Sequence, residues 1–335
     1  MLDSKSKSKS KSTKAARIGV VITDPYDWTA RAFLSNIRKR GAIAVPLNLS
    51  ALSASISYSD FSVFNVNADA GAGAGAGSDS KNIDINAIIV RDAGIGLTLE
   101  QLSFKFDLLR LFEDSMPVMN TPTAIQNAAN KFFSFYLFKR ANLPIPRTTI
   151  TSRLEIAAKA IEEFGCAIVK PIFGSKGEGI IKLKLESSHP QSPPDPDLNL
   201  TSKLAELLKE RGVLYLQEFV HNLGRDIRVF VLGGKILGAI YRIPQKGSFL
   251  SNLSQGARPV KCELTEEMEE LAIGAAKAVG TDFAGVDLIE AEAEGEIRLY
   301  LLEVNATPSG KGIKLACGID VTERIVNHLF ERIED

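Results

Sequence analysis

Phe283-Ala284-Gly285-Val286-Asp287-Leu288-Ile289 and Leu299-Tyr300-Leu301-Leu302-Glu303-Val304-Asn305 are the two stretches that decide the fold. Both are short apolar runs with a polar end, and both read as strands. Side chains alternate along a strand, so Glu303 and Asn305 face the same way, about 7 Å apart. If the two strands pair as a hairpin, Asp287, Glu303 and Asn305 bring three hard oxygen donors together. Such a set suits Mg²⁺, which takes one or two carboxylates and fills its other positions from water and substrate phosphates. The ligand this implies is a nucleotide–magnesium complex.

The chain has 335 residues, 45% hydrophobic and 24% charged, enough for two domains or three small lobes with a substantial core. Forty basic residues balance forty acidic ones, so no global field draws in nucleic acid or a membrane surface, and any anion site must be local. Cys166, Cys262 and Cys317 lie far apart without zinc-like spacing, which fits a reducing, cytoplasmic setting. No apolar stretch approaches the roughly 20 residues that span a bilayer. The Lys/Ser repeat at 1–16 reads as a solvated, disordered arm and not as a signal peptide.

Strand–helix–strand alternation over 17–118 predicts an N-terminal α/β lobe, with strands at 17–23, 42–47 and 83–90 and a helix at 27–40. The Gly/Ala-rich stretch near 66–82 reads as a linker inserted in a surface loop, since no strand feeds it and no helix follows. From 119 to 335 the pattern predicts a second domain, with a central lobe (119–190) and a C-terminal lobe (191–335). Thr121-Pro122 opens a helical pattern running to about Ala141. Residues 187–200 read as a proline-rich loop, Gly233-Gly234 as a hairpin turn, and Thr265 as the cap of a helix that Gly280 ends.

Three further segments carry chemistry. In Ile168-Val169-Lys170-Pro171-Ile172-Phe173-Gly174-Ser175-Lys176-Gly177-Glu178-Gly179-Ile180 a strand delivers Lys170 into a glycine-rich turn. Glycines let backbone N–H groups approach phosphate oxygens, and Lys170 and Lys176 neutralise charge; a plain hairpin turn is the other reading. It is no Walker A loop, because no helix follows. The strand ending at Gln217-Glu218-Phe219-Val220 can read an adenine edge with its backbone, or can simply be a buried strand with a polar end. In Gly224-Arg225-Asp226-Ile227-Arg228, Asp226 and Arg228 share one strand face, which is either solvated or the wall of a nucleotide cleft, and Arg242 ends the neighbouring strand.

The order of these features (lysine, glycine loop, hinge, Arg-Asp-x-Arg strand, Asp287, then Glu303-x-Asn305) resembles the ATP-grasp superfamily, and more narrowly its RimK-type carboxylate–amine ligases. The resemblance runs from about Asn120 to the C-terminus and extends to Asn130-Lys131 at a helix start, Leu143-Pro144-Ile145-Pro146-Arg147-Thr148, Phe249-Leu250-Ser251-Asn252-Leu253-Ser254-Gln255-Gly256-Ala257 and Glu303-Val304-Asn305-Ala306-Thr307-Pro308. It implies an α/β, ATP-grasp fold: an N-terminal lobe, then central and C-terminal lobes that clamp ATP. It assigns Lys131 and Lys170 to the phosphates, with Gly174, Ser175, Lys176 and Gly177 folding over them as a lid. Gln217, Glu218, Phe219 and Val220 would hold adenine, and Asp226, with Arg228 beside it, the ribose and phosphates. Arg242, Ser251 and Asn252 would face the phosphates or the incoming amino acid, with Arg242 and Asn252 catalytic. Asp287, Glu303 and Asn305 would hold two Mg²⁺ or Mn²⁺ ions. Leu250 departs from the pattern, because relatives usually carry Arg there; Arg242, Lys246 or Arg258 would supply the charge.

The implied reaction is ligation through an acyl-phosphate: a terminal carboxylate is phosphorylated by ATP, and the amine of L-glutamate displaces phosphate. Such chemistry needs positioning and charge neutralisation more than a protein nucleophile, and His189, His221 and His328 form no catalytic group. The acceptor is expected to be a small molecule, the tetrahydromethanopterin cofactor, which would become tetrahydrosarcinapterin. A deazaflavin cofactor and a ribosomal-protein tail are the alternatives. A cytoplasmic homo-oligomer without nucleic-acid or membrane partners completes the expectation. Rival readings are a lysine-pathway carrier ligase, a nucleotide-binding protein on a degenerate fold, and a Rossmann-type oxidoreductase. The last lacks a glycine fingerprint after Val20-Val21-Ile22.

Overall fold

A computed structural model describes residues 15–59, 61–65, 81–94, 97–174, 177–185, 196–247, 253–293 and 295–334. The Lys/Ser arm up to residue 14, the Gly/Ala repeat, the prolines at 190–194, Ser175, Lys176, Leu250, Ser251 and Asn252 lie outside the described residues. The chain divides into two compact units, Met1–Val118 with Leu329–Asp335, and Met119–His328.

The first unit contains β1 (Arg17–Val21), α1 (Trp28–Lys39), β2 (Ile43–Leu47), β3 (Leu52–Ile56), β4 (Phe61–Asn65), β5 (Lys81–Asn82), β6 (Ala87–Val90) and α2 (Leu99–Glu113). β1 lies between β2 and β6, parallel to both. Ile18, Val20, Ile88 and Ile89 are fully buried in these strands, as is Ile37 of α1, the near-continuous apolar pattern of a sheet covered on both faces. Asp27 caps α1 by accepting from the Ala30 N–H at 2.8 Å, and Arg91 holds the same carboxylate at 2.9 Å. β3, β4 and β5 form a separate antiparallel sheet that the sequence pattern does not predict. The chain leaves the first unit through β7 (Val118–Met119).

The second unit opens with α3 (Pro122–Ala129) and α4 (Lys131–Arg140). The single helix expected over 121–141 is therefore broken at Asn130. Asn130 takes an extended conformation, ends α3 and caps α4 by accepting from the Phe133 N–H at 3.0 Å. The break sets Lys131 at the first position of a new helix.

Next come β8 (Thr148–Thr151), α5 (Leu154–Phe164), β9 (Cys166–Lys170), β10 (Ile181–Lys184), α6 (Pro196–Arg211) and β11 (Leu214–Glu218). They build a four-stranded antiparallel sheet in the order β10-β9-β11-β8. Ala157 and Ile161 of α5 and Leu204 and Leu207 of α6 pack on Ala167, Val169, Leu214 and Leu216 of this sheet.

The remainder is β12 (Asp226–Leu232), β13 (Lys235–Ile243), β14 (Arg258–Cys262), α7 (Glu266–Val279), β15 (Phe283–Ala293), β16 (Glu296–Asn305), α8 (Lys311–Cys317) and α9 (Val321–Glu334). Its five strands run in the order β14-β13-β12-β15-β16. Thr265 caps α7 and Gly280 ends it with a left-handed turn, both as expected. Phe230 and Ile240 form a core with Ile313 of α8 and Val321 of α9. By strand alternation, Asp226 and Arg228 lie on the same face as Phe230. One face of β12 is thus apolar at one end and charged at the other.

Candidate active site

The charged end of that face looks onto a cleft within the second unit, with about 950 Å³ of empty space including its open mouth. Its cationic wall comes from the four-stranded sheet and α4. Lys131, Lys170, Gly174 and Gly177 line it. The Lys131 ammonium donates to the Gly174 carbonyl at 2.9 Å and its backbone N–H to the Ile172 carbonyl at 3.2 Å, which ties the start of α4 to the glycine loop. Gly177 has φ of 80° and Gly179 of 69°, left-handed values that explain glycine at both positions.

Lys170 ends β9 and donates to Gln217 Oε1 at 2.7 Å. The other end of the Gln217 amide donates to the Tyr215 hydroxyl at 3.3 Å, so this buried side chain is oriented by a tyrosine itself packed edge-on against Phe135. Burial pulls the Lys170 ammonium down to about 8; the nearby Lys131 charge adds to this, while Glu303 and Asp287 act against it.

The hinge, Gln217 to Val220, forms the next part of the wall, together with the apolar side chains of Ile168, Ile180, Ile289 and Leu302. Both Glu218 oxygens accept from Arg147, each at 2.8 Å, and this pairing holds the carboxyl below its usual range. The backbone N–H groups of Glu218 and Phe219 are engaged by the carbonyls of Arg147 and Cys166, each at 2.9 Å. The Phe219 ring carries the Lys182 ammonium 3.4 Å from its centre and meets His221 edge-on.

The acidic wall belongs to the five-stranded sheet. Asp226 sits opposite Arg242, Arg228 opposite Asp287, and Asp287 opposite Glu303. Arg242 grips Asp226 with two bonds of 2.7 and 2.6 Å and reaches Asp287 at 2.9 Å. Arg228 closes on Asp287 from the other side with a second bidentate pair. Burial pushes the Asp226 carboxyl up to about 6 against the pull of Arg242. Asp287 is buried too, but Arg228 and Arg242 together hold its carboxyl below the usual range. Gly285 makes this crossing possible, because a Cβ there would stand 2.9 Å from Arg228 Cδ and 2.9 Å from Pro308 Cβ.

Asp287 and Glu303 line the cleft; Asn305 stands behind, donating to Glu303 at 3.1 Å, and Arg228 stands behind Asp287. Among the described residues no three His, Cys, Asp or Glu side chains cluster as a metal site. A cation here would take two carboxylates and the Asn305 amide oxygen and complete its shell from phosphate and water, which is the donor pattern of Mg²⁺.

The sequence expectations omit several residues of this site. Arg147 falls within a motif quoted for the resemblance, yet its partner, Glu218, lies 71 residues away. Leu302 has a detectable signal. The register of β15 and β16 shifts after Asp287, whose partner is Glu303, while Leu288 pairs with Leu301. Leu302 is the extra residue of that bulge, so two consecutive residues reach one cleft. The spacing of the buried residues, Leu299, Leu301 and then Val304, records it.

A model of the RimK-like ATP-grasp domain matches residues 128–329. The tetrahydromethanopterin:α-L-glutamate ligase of Methanosarcina acetivorans is 43% identical over 330 residues, covering 93% of this chain and 98% of that one. The enzyme of the same name from Methanocaldococcus jannaschii is 38% identical, covering 69% of this chain and 76% of its own length. In fold, the chain resembles the ATP-grasp ligase PsnB complexed with a phosphomimetic variant of minimal precursor, Mg and ADP, with a TM-score of 0.68 at 22% identity, over 94% of this chain and 98% of that one. The chain belongs to the RimK-like ATP-grasp family.

Proposed function

We propose that this protein is an ATP-dependent, ADP-forming ligase that adds L-glutamate to the terminal carboxylate of the tetrahydromethanopterin cofactor, giving tetrahydrosarcinapterin. The observation that carries this reading is the 43% identity to the M. acetivorans ligase along almost the whole of both chains. The cleft supports it by opposing a cationic wall to an acidic one.

In the reaction an acceptor carboxylate oxygen attacks the γ-phosphorus of ATP, the bond to the β-phosphate oxygen breaks, and ADP leaves with that electron pair. Lys131 and Lys170 neutralise the phosphates, and Gln217 keeps the Lys170 ammonium aimed at the cleft. Gln217 to Val220 and the apolar slot of Ile168, Ile180, Ile289 and Leu302 hold the base. Asp287, Glu303 and Asn305 would hold Mg²⁺, as a pair of ions, which when bound would screen the charge that builds on the transferring phosphoryl group. Arg242 stands between Asp226 and Asp287, where one guanidinium can turn from a carboxylate to a phosphoryl oxygen. The glutamate amine then attacks the acyl carbon, loses a proton, and phosphate departs as the tetrahedral intermediate collapses to the amide.

Phosphate release with ATP, Mg²⁺, glutamate and tetrahydromethanopterin, followed by mass spectrometry of the pterin, tests the proposal. A product heavier by one glutamyl residue is expected. Turnover only with a deazaflavin or peptide acceptor would move the protein to another substrate, and no turnover with any of them would refute the ligase reading.

A further inference from the structure

Asn120 lies outside the cleft, is fully buried, and takes no part in the mechanism above. Its amide nitrogen donates to the Phe283 carbonyl at 2.7 Å and the Ala306 carbonyl at 2.5 Å. Its amide oxygen accepts from the backbone N–H of Asp282 at 2.7 Å and of Phe283 at 3.1 Å. All four hydrogen-bonding positions of the side chain are used, and each partner is backbone at the base of the β15–β16 hairpin.

The location is informative. Gly285 and Asn305 form the last register pair of the two strands. Beyond it, Asn120 bridges Phe283 of one strand and Ala306 just past the other, acting as an added rung. At the opposite side the ladder is interrupted by the Leu302 bulge. Between rung and bulge only the pairs Gly285–Asn305, Val286–Val304 and Asp287–Glu303 remain, and they carry all three candidate cation ligands. A slip of one residue in so short a ladder would turn Glu303 and Asn305 to the other face.

We propose that Asn120 is a positioning residue for the cation site, clamping the base of the β15–β16 hairpin so that Glu303 and Asn305 stay in register with Asp287. This rests on the reading of those three residues as cation ligands. Only an amide can do it. Aspartate keeps the two bonds accepted from the Asp282 and Phe283 N–H groups but turns a carboxylate toward the Phe283 and Ala306 carbonyls, and alanine releases both strands.

The test measures Mn²⁺ binding by electron paramagnetic resonance in the presence of ADP, and ADP binding in chelator, both well below the melting temperature. Asn120→Ala and Asn120→Asp are expected to weaken Mn²⁺ by about tenfold or more while metal-free ADP binds as in wild type. If the alanine variant does not fold, the aspartate variant carries the test. Asn127→Ala is the control, since the bond Asn127 donates, to the Val279 carbonyl at 3.3 Å, goes to α7 and to neither strand of the hairpin; it should lower the melting temperature and leave Mn²⁺ binding unchanged. Unaltered Mn²⁺ binding in a folded Asn120 variant, or equal losses of Mn²⁺ and metal-free ADP, would overturn the proposal. Glu303→Gln separates the two readings: if it too leaves Mn²⁺ unaffected, the cation site itself is wrong.

Discussion

The two sheets of the second unit place polar groups in the cleft by different means. In the β8–β11 sheet they stand at strand ends: Lys170 is the last residue of β9, and Gln217 and Glu218 the last two of β11. In the β12–β16 sheet they sit opposite one another across strands, as Asp226–Arg242, Arg228–Asp287 and Asp287–Glu303. The first arrangement gives a wall on which, among the described residues, Lys131 and Lys170 bond to uncharged oxygens, those of Gly174 and Gln217. The second sets two guanidinium groups against three carboxylates, Asp226, Asp287 and Glu303, leaving one negative charge over. One wall is thus built to receive an anion, and the other to receive a cation beside charges already balanced within the protein.

Glu303→Gln attacks that contrast most directly, because it removes the surplus negative charge without changing shape. Turnover should fall by about two to three orders of magnitude, while metal-free ADP binding and the fold persist. Wild-type turnover would remove the cation role. On the opposite wall, Lys170→Met should lower kcat/KM for ATP by roughly ten- to hundredfold, the loss of a charged hydrogen bond of about 1.5–3 kcal/mol. Equal losses for both variants in metal-free ADP binding would mean the walls do not divide the work.

A pH profile sharpens the same division. The Lys170 ammonium is shifted from its ordinary 10.5 to about 8, so in the free enzyme its charge is present below pH 8 and disappears above it. Accordingly, kcat/KM for ATP should fall above pH 8, by up to about tenfold per unit, and Lys170→Arg should remove the inflection because a guanidinium stays charged. Stability follows with a definite sign. The lowered value means that the unfolded chain binds more protons between pH 8 and 10.5, so this group's contribution rises with pH across that window and is lost as pH falls through 8. Lys170→Met should lack the rise, and a melting temperature that responds to pH identically in both proteins would contradict the buried-ammonium reading.

The same contrast explains what the sequence made legible. Strand-end residues announce themselves: Lys170 before Pro171, the Gln217–Val220 turn, and Glu303-x-Asn305 at the end of an apolar run can each be found from one segment. The ATP-grasp architecture was legible for that reason, as were the α7 cap at Thr265 and the Gly280 stop. Pairings are another matter. That Asp226 gives both oxygens to Arg242 depends on the register of two strands joined through Gly233-Gly234. That Arg228 lies over Gly285 depends on a third strand nearly sixty residues on. Asn120 reads as an ordinary polar residue ahead of a helix, because all of its partners lie more than 160 residues away. Periodicity alone hides the break at Asn130, because the apolar pattern of 131–138 continues that of 122–129; the family resemblance, which sets Asn130-Lys131 at a helix start, marks it, and one side-chain cap suffices to separate the two helices.

The smallest expected effect concerns Arg147, which ties the hinge to the segment before β8. Its guanidinium lies 5.0 Å from the Phe164 ring centre and gives Glu218 two bonds, yet its side chain is 58% exposed. An ion pair this open is worth about 0.2–1 kcal/mol, so Arg147→Ala should barely move the melting temperature. Its effect should appear instead in where Glu218 points. Released from Arg147, the carboxylate can turn toward the base slot and repel phosphate, raising the KM for ATP by no more than about fivefold with kcat unchanged. Glu218→Gln in the same background should restore the KM, since the amide carries no charge to repel. A fall in kcat at constant KM would show the hinge acting on the chemical step, and would erase the division between a strand-end wall that binds and a paired wall that holds the cation.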